Sequence, residues 1–128
     1  MQVPPNCDLT LGLRCVDKST PGVTTWEMRA DERFANPAGT VQGGFLAAML
    51  DSAMGASAVT ALDGRRARVA NAEMKVSFLR SVTVGALLTC VATCVSAGST
   101  VLFVEASVRD DKDREVARAS STYIAKER

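Results

Sequence analysis

The sequence predicts an α+β domain in which one antiparallel sheet curls round one long helix. Three observations carry that class. From Thr40 to Leu62 the chain is small and apolar, with Asp51 its only ionisable side chain. Strand-like segments precede and follow that stretch, in the order strand, strand, helix, then four strands, which is not the alternating order of a parallel α/β sheet. The later strands are joined by links of hairpin length, which favour antiparallel neighbours. At 128 residues the chain fits a single domain, 1–128, long enough to bury a real core. No repeat, low-complexity tract or linker divides it.

The elements follow in order. Leu9 to Val16 and Val23 to Ala30 read as strands, joined through a turn at Pro21-Gly22. Asn36-Pro37 and Gly39 form a turn that cannot continue as helix, and Thr40 can cap the first backbone N–H groups after it. Asp63-Gly64 supplies the stop, since glycine readily takes the left-handed conformation that ends helices. A helix apolar on nearly every side is either buried or spans a membrane. Its length permits a span, but its Ala, Gly, Ser and Met content and its mid-helix carboxylate favour a buried soluble helix. Four strands follow: Val69 to Leu79, Ala86 to Val95, Thr100 to Arg109 and Glu115 to Ile124, the last three sequential antiparallel neighbours across Ala97-Gly98-Ser99 and Asp110 to Asp113. A sheet curled round one helix leaves edges and one face in need of cover, which a second subunit can supply.

Composition excludes several functions. Fifteen basic residues against fourteen acidic ones leave a net charge of +1, and aromatics are few, so neither phosphate neutralisation nor base stacking is favoured and no nucleic-acid partner is expected. The N-terminal Met1-Gln2-Val3-Pro4-Pro5 lacks the regions of a signal peptide, which predicts a cytoplasmic protein. Cys7, Cys15, Cys90 and Cys94 show no Cys-x-x-Cys spacing and read as small core residues. The chain has no histidine, which rules out a zinc site completed by histidine, a Cys-His dyad, a Ser-His-Asp triad and a histidine base. Neither metal nor cofactor is expected, and any hydrolytic chemistry must run on carboxylates and amides.

The segment Asn36-x-x-Gly39-x-Val41-Gln42-Gly43-Gly44, followed by Asp51 eight residues after Gly43, resembles the signature of hotdog-fold acyl-CoA thioesterases of the phenylacetyl-CoA and hydroxybenzoyl-CoA branch. Met74-Lys75-Val76-Ser77-Phe78-Leu79-Arg80, Gly85 and Ala117-Arg118-Ala119-Ser120 extend the resemblance over nearly the whole chain. It implies a hotdog fold, an acyl-CoA substrate and a homodimer, assembled further as a dimer of dimers, whose sites are shared between subunits. Two positions depart from the family. Gln42 stands where the family has histidine, and keeps donor and acceptor capacity without a titrating ring. Asn71 falls where similar thioesterases carry a Ser or Thr that helps hold the attacking water.

The residues themselves support that chemistry. Thioester hydrolysis needs a carboxylate to activate water or attack directly, and donors for the developing oxyanion. Asp51 fits the first role: its helix neighbours three and four residues away, Ala47, Ala48, Met54 and Gly55, cannot pair with it, and a buried unpaired charge is costly. Gly43 fits the second, because first-turn N–H groups lack helical acceptors and the dipole favours negative charge there. Asn36 can donate its amide to the same carbonyl or position the water. Gly43 and Asp51 lie about 12 Å apart along one helix, so both reach one carbonyl only across two antiparallel helices related by a twofold axis. Substrate contacts are expected from Gln42, Gly44, Phe45 and Met54, the last two shaping an apolar wall, and from Arg65, Arg66 and Arg68 at nucleotide phosphates. An aromatic or medium-chain acyl group fits the small residues beside the helix. Each position also has a purely structural reading: a solvated Asp51, glycines that allow close packing, Asn36 as a turn former, and an arginine run that is a solvated loop. At the level of function the alternatives are a non-catalytic acyl-ligand binding protein and a hydratase or dehydratase, the latter disfavoured by the missing histidine.

Overall fold

The computed structural model describes residues 3–127. Its first element departs from expectation, because Asn6–Leu11 forms a helix (α1) that overlaps the start of the strand read from Leu9 to Val16. Pro5 enters it with φ −68°, Asp8 lies in its first turn, and Gly12 at φ 69° ends it. The Gly12 N–H then donates to the Leu9 carbonyl at 3.2 Å and the Leu13 N–H to the Asp8 carbonyl at 2.9 Å, satisfying carbonyls that a helix end leaves open. The strand begins only at β1, Arg14–Thr20.

Gly22 at φ 82° turns β1 into β2, Val23–Arg29, which alternates buried and half-buried positions as a half-covered strand should. A short 3-10 turn at Glu32–Phe34, capped by the Asp31 carboxylate, leads through the Asn36 loop to the long helix α2, Gly43–Ala61. Four strands complete the chain: β3 Ala67–Phe78, β4 Leu87–Ala97, β5 Val101–Arg109 and β6 Glu115–Glu127. They form one six-stranded antiparallel sheet in the order β1-β2-β4-β5-β6-β3, with α2 packed across β2, β4 and β5. This is the expected α+β hotdog arrangement. The β4-β5-β6 meander follows its short links, and β3 folds back outside β6 to become an edge.

Two expectations about α2 are corrected. Thr40 does not cap it: Thr40 bridges to Thr83, Gln42 is the last residue before the helix, and no side chain caps the first turn. Nor is the helix buried all round. Leu46, Met49, Leu50, Ala53, Met54, Ser57 and Ala58 face the sheet, each large apolar side chain contributing about 2 kcal/mol by burial. Asp51 and Val59 are exposed on the opposite side, with Ser52, Gly55 and Ala56 half-buried between them. Small residues fit either face, so sequence pattern did not reveal the open one. At the other end Asp63 and Gly64, at φ 49° and 91°, turn the chain out as expected.

The four cysteines are unpaired, but they are not all core residues. Cys90 is fully buried and its thiol is pushed up to about 12 by desolvation, whereas Cys15 and Cys94 are half-buried and Cys7 is exposed on α1.

Candidate active site

Asp51 projects from the middle of α2 toward β3 and β6. It is neither buried nor unpartnered, which corrects the reading from its helix neighbours. Its partners come from strands twenty and seventy-two residues further along the chain. The Asn71 amide donates to Asp51 Oδ1 at 3.1 Å, and the Tyr123 hydroxyl lies 3.4 Å from the same oxygen and 3.3 Å from the Asp51 carbonyl. Asn71 and Tyr123 are cross-strand partners, so the β3–β6 ladder itself aims both donors at one carboxylate. A register shift immediately after Asn71 releases β3 from strict alternation there.

Both donors are neutral. Burial, then the Asp51 charge and its hydrogen bond, push the Tyr123 hydroxyl up, so it remains a protonated donor through neutral pH. The Asn71 amide also lies 3.5 Å from the buried Ser121 hydroxyl, which steadies it. The result is a carboxylate with Oδ1 held in place and, among the described residues, no protein donor on Oδ2. Tyr123 was missed in the sequence. Its signal was faint: it is the only tyrosine, on the inward register of a strand whose other inward residues are small.

Asp51 also stands at one end of a groove of about 860 Å³ over the open face of α2. The residues at the start of the helix lie elsewhere. Gly43 is the first helical residue, and a Cβ there would sit 3.0 Å from the exposed Phe78 ring, which would have to give by a few tenths of an ångström to admit a side chain. Gly44 is exposed with open space round it. Asn36 organises the loop before them: its Oδ1 accepts from the Ala38 and Thr40 N–H groups at 3.0 and 3.2 Å and from the Thr40 hydroxyl at 3.3 Å. With Oδ1 so occupied, the Asn36 amide is the end turned to donate. Gln42 is exposed and its backbone N–H donates to the Phe34 carbonyl at 2.8 Å.

Three of the expected substrate contacts have other partners in the fold. Met54 is fully buried against the sheet, so it packs the core and lines no surface a ligand can reach. Phe45 is half-buried and stacked on Phe34, centroids 4.3 Å apart, which ties the helix start to the preceding 3-10 turn. Arg65 is a clamp: it donates to the Gly98 and Ser99 carbonyls at 2.9 and 2.7 Å and pairs with Glu127 at 3.2 Å. Arg66 and Arg68 are exposed. The structure therefore gathers Asp51 and Asn71 in one place and keeps Asn36, Gln42 and Gly43 two helical turns away. Among the described residues no three side chains converge to hold a metal ion.

Comparison with known proteins agrees with this fold. The sequence profile of the thioesterase superfamily matches residues 38–117, more than half of the chain. A phenylacetic acid degradation-related protein of Ralstonia eutropha is 30% identical, with 96% of this chain and 92% of that one covered at a TM-score of 0.85. A conserved protein of Pseudomonas aeruginosa is 28% identical over 96% and 95% of the two chains, at a TM-score of 0.88. A Streptococcus mutans protein solved with acetyl-CoA shares the fold at 20% identity and a TM-score of 0.84, covering 100% of this chain and 94% of that one. No curated protein matches in sequence. Profile, relatives and fold together place the chain in the thioesterase superfamily, in the hotdog branch of the phenylacetic acid degradation-related proteins, as a thioester hydrolase.

Proposed function

We propose that the protein hydrolyses the thioester of an aromatic or medium-chain acyl-CoA in a site built by two subunits, with Asp51 as general base. The observation that carries this reading is the asymmetric hold on Asp51: Asn71 and Tyr123 take Oδ1, no donor among the described residues takes Oδ2, and Asp51 lines the groove. A water on Oδ2 loses its proton as it attacks the carbonyl carbon. The carbonyl oxygen gains charge at the same time and needs donors, which Asp51 and its neighbours do not provide. The Gly43 N–H, at a helix N-terminus without a side-chain cap, and the Asn36 amide are suited to it. Within one subunit Gly43 lies about 12 Å along the helix from Asp51, with Asn36 in the loop before it, so both come from a second subunit.

The β3 edge supports that assembly. It is a twelve-residue strand with, among the described residues, no neighbour on its outer side, and it carries Asn71. Edge-to-edge pairing of two β3 strands about a twofold axis continues the sheet and sets two α2 helices antiparallel beside each other. The leaving group needs no acid, because an alkyl thiol with an ordinary pKa of about 8.5 departs as thiolate. A chain without histidine can therefore complete the reaction, and the exposed Gln42 has only to keep its loop in place.

The test is hydrolysis of a panel of acyl-CoA esters, followed by a single turnover in isotope-labelled water. A general base delivers the label straight into the carboxylic acid product. Label recovered in Asp51 would mean that the carboxylate attacks the carbonyl itself, and would overturn the proposed role.

A further inference from the structure

We infer that the acyl chain crosses the open face of α2 at Gly55 and ends on the indole of Trp26, which makes the protein selective for medium-chain acyl groups. This rests on Asp51 being the reacting end. The groove that begins at Asp51 touches Asn71 and Tyr123 on one side and Trp26 and Cys15 on the other. In the sheet order, β3 and β6 lie at one end and β1 and β2 at the other. One groove can reach both only by passing over α2, and at the crossing the helix presents Ser52, Gly55 and Ala56. Nothing larger than a small side chain leaves the passage open. A Cβ at Gly55 would stand 3.6 Å from the Tyr123 hydroxyl, in ordinary contact, so one methyl fits and a longer side chain must enter the groove.

Trp26 is positioned for the far wall. Its Nε1–H donates to Thr24 Oγ1 at 2.9 Å. The Thr24 hydroxyl lies 2.7 Å from Ser57 Oγ and 3.2 Å from the Ala53 carbonyl, and Ser57 donates to the Ala92 carbonyl at 2.9 Å. Thr24 and Ser57 are fully buried, so the polar edge of the indole is tied into a satisfied network; most of the ring packs in the core, and the small part left exposed lines the groove. Beyond it, on the α1 and β1 side, stand the charged residues Asp8 and Lys18, beside which an apolar chain gains nothing.

Length follows from the helix. Along the helix the residues that line the groove run from Asp51 to Thr60, about 13 Å at 1.5 Å per residue, which sets the scale of a path from Asp51 over Gly55 to Trp26. An extended chain advances about 1.2 Å per bond, so about ten bonds fill it, which corresponds to a chain near decanoyl rather than acetyl.

The experiment compares kcat/KM across acetyl-, hexanoyl-, decanoyl- and hexadecanoyl-CoA for the parent, Gly55→Leu, Ala56→Val and Trp26→Ala, with melting curves for each. The parent should peak at the medium chains. Blocking the crossing should lower the decanoyl-to-acetyl ratio at least about tenfold, the scale of losing a few methylenes from an apolar pocket. Trp26→Ala should move the optimum to longer chains. Ala56→Val tests the crossing if Gly55→Leu does not fold. Decanoyl-CoA binding to Asp51→Asn, with and without the same changes, reads the groove independently of hydrolysis. Folded variants whose chain-length profile and decanoyl-CoA affinity both match their parents would overturn the inference. Loss of decanoyl-CoA affinity on blocking the crossing, in a protein that hydrolyses none of the esters, would support the groove and refute only the role of Asp51.

Discussion

Replacing Asp51 by Asn changes one charge and almost no volume, and the structure says what each observable should do. In the fold, the substituted side chain can still accept from Asn71 and Tyr123. A hydrogen bond to a charged acceptor is worth about 1 kcal/mol more than one to a neutral acceptor, and of the two only the Asn71 bond, at 3.1 Å against 3.4 Å for Tyr123, is of ordinary length, so a loss of about 1 kcal/mol is the expected scale. Asp51 is exposed, so removing its charge relieves little desolvation in return. The melting temperature should therefore fall by no more than about 4 °C, where a buried unpaired carboxylate would have predicted a rise. In the reaction, loss of a general base costs about two to four orders of magnitude. Thiol release from the best acyl-CoA reports the rate and calorimetry the melting point. A folded Asp51→Asn protein that hydrolyses its ester at the parent rate would refute the catalytic reading of the Asp51, Asn71 and Tyr123 cluster.

Three further outcomes follow from named contacts. Gln42→His and Gln42→Ala should both stay within about tenfold of the parent in kcat/KM, since the Gln42 side chain is exposed and caps nothing. Arg65→Ala should lower the melting temperature while leaving the KM for acyl-CoA unchanged, because Arg65 fastens the β4–β5 turn and the end of β6. Stability should fall as pH rises above about 9: burial raises Cys90 to about 12 and Tyr123 is also raised, so the unfolded chain loses protons that the native state keeps. That contribution is fully present below the unfolded pKa values and disappears as pH rises toward the folded ones. Urea titrations across this range should show Cys90→Ala flattening the fall.

The parts legible in the sequence were those with local causes. Pro21-Gly22, the Asp63-Gly64 stop and the short links between the last strands each act through their own backbone, and the elements they bound appear where expected. The strand read from Leu9 to Val16 starts too early, because Pro5 before the segment and Gly12 within it set a single turn and a half of helix over Asn6–Leu11. The surroundings of Asp51 could not be read from residues three and four away, since its partners depend on which strand lies beside the helix and in what register. The same holds for Arg65, whose carbonyl acceptors belong to a turn more than thirty residues downstream. Helix period showed that Met54 had a face, but not that this face was the inner one.

The claim on which the rest depends is that each site takes Asp51 from one subunit and Gly43 with Asn36 from the other. Mixing Asp51→Ala with Asn36→Ala protein, each inactive alone, measures it directly. Random exchange makes half of the dimers mixed, and each mixed dimer holds one intact site of two, so activity should recover to about a quarter of the parent level. Recovery should track subunit exchange followed by sedimentation or by native mass spectrometry of an isotope-labelled partner. Proven exchange with no recovery, or a monomer that is fully active at assay concentration, would contradict the shared site.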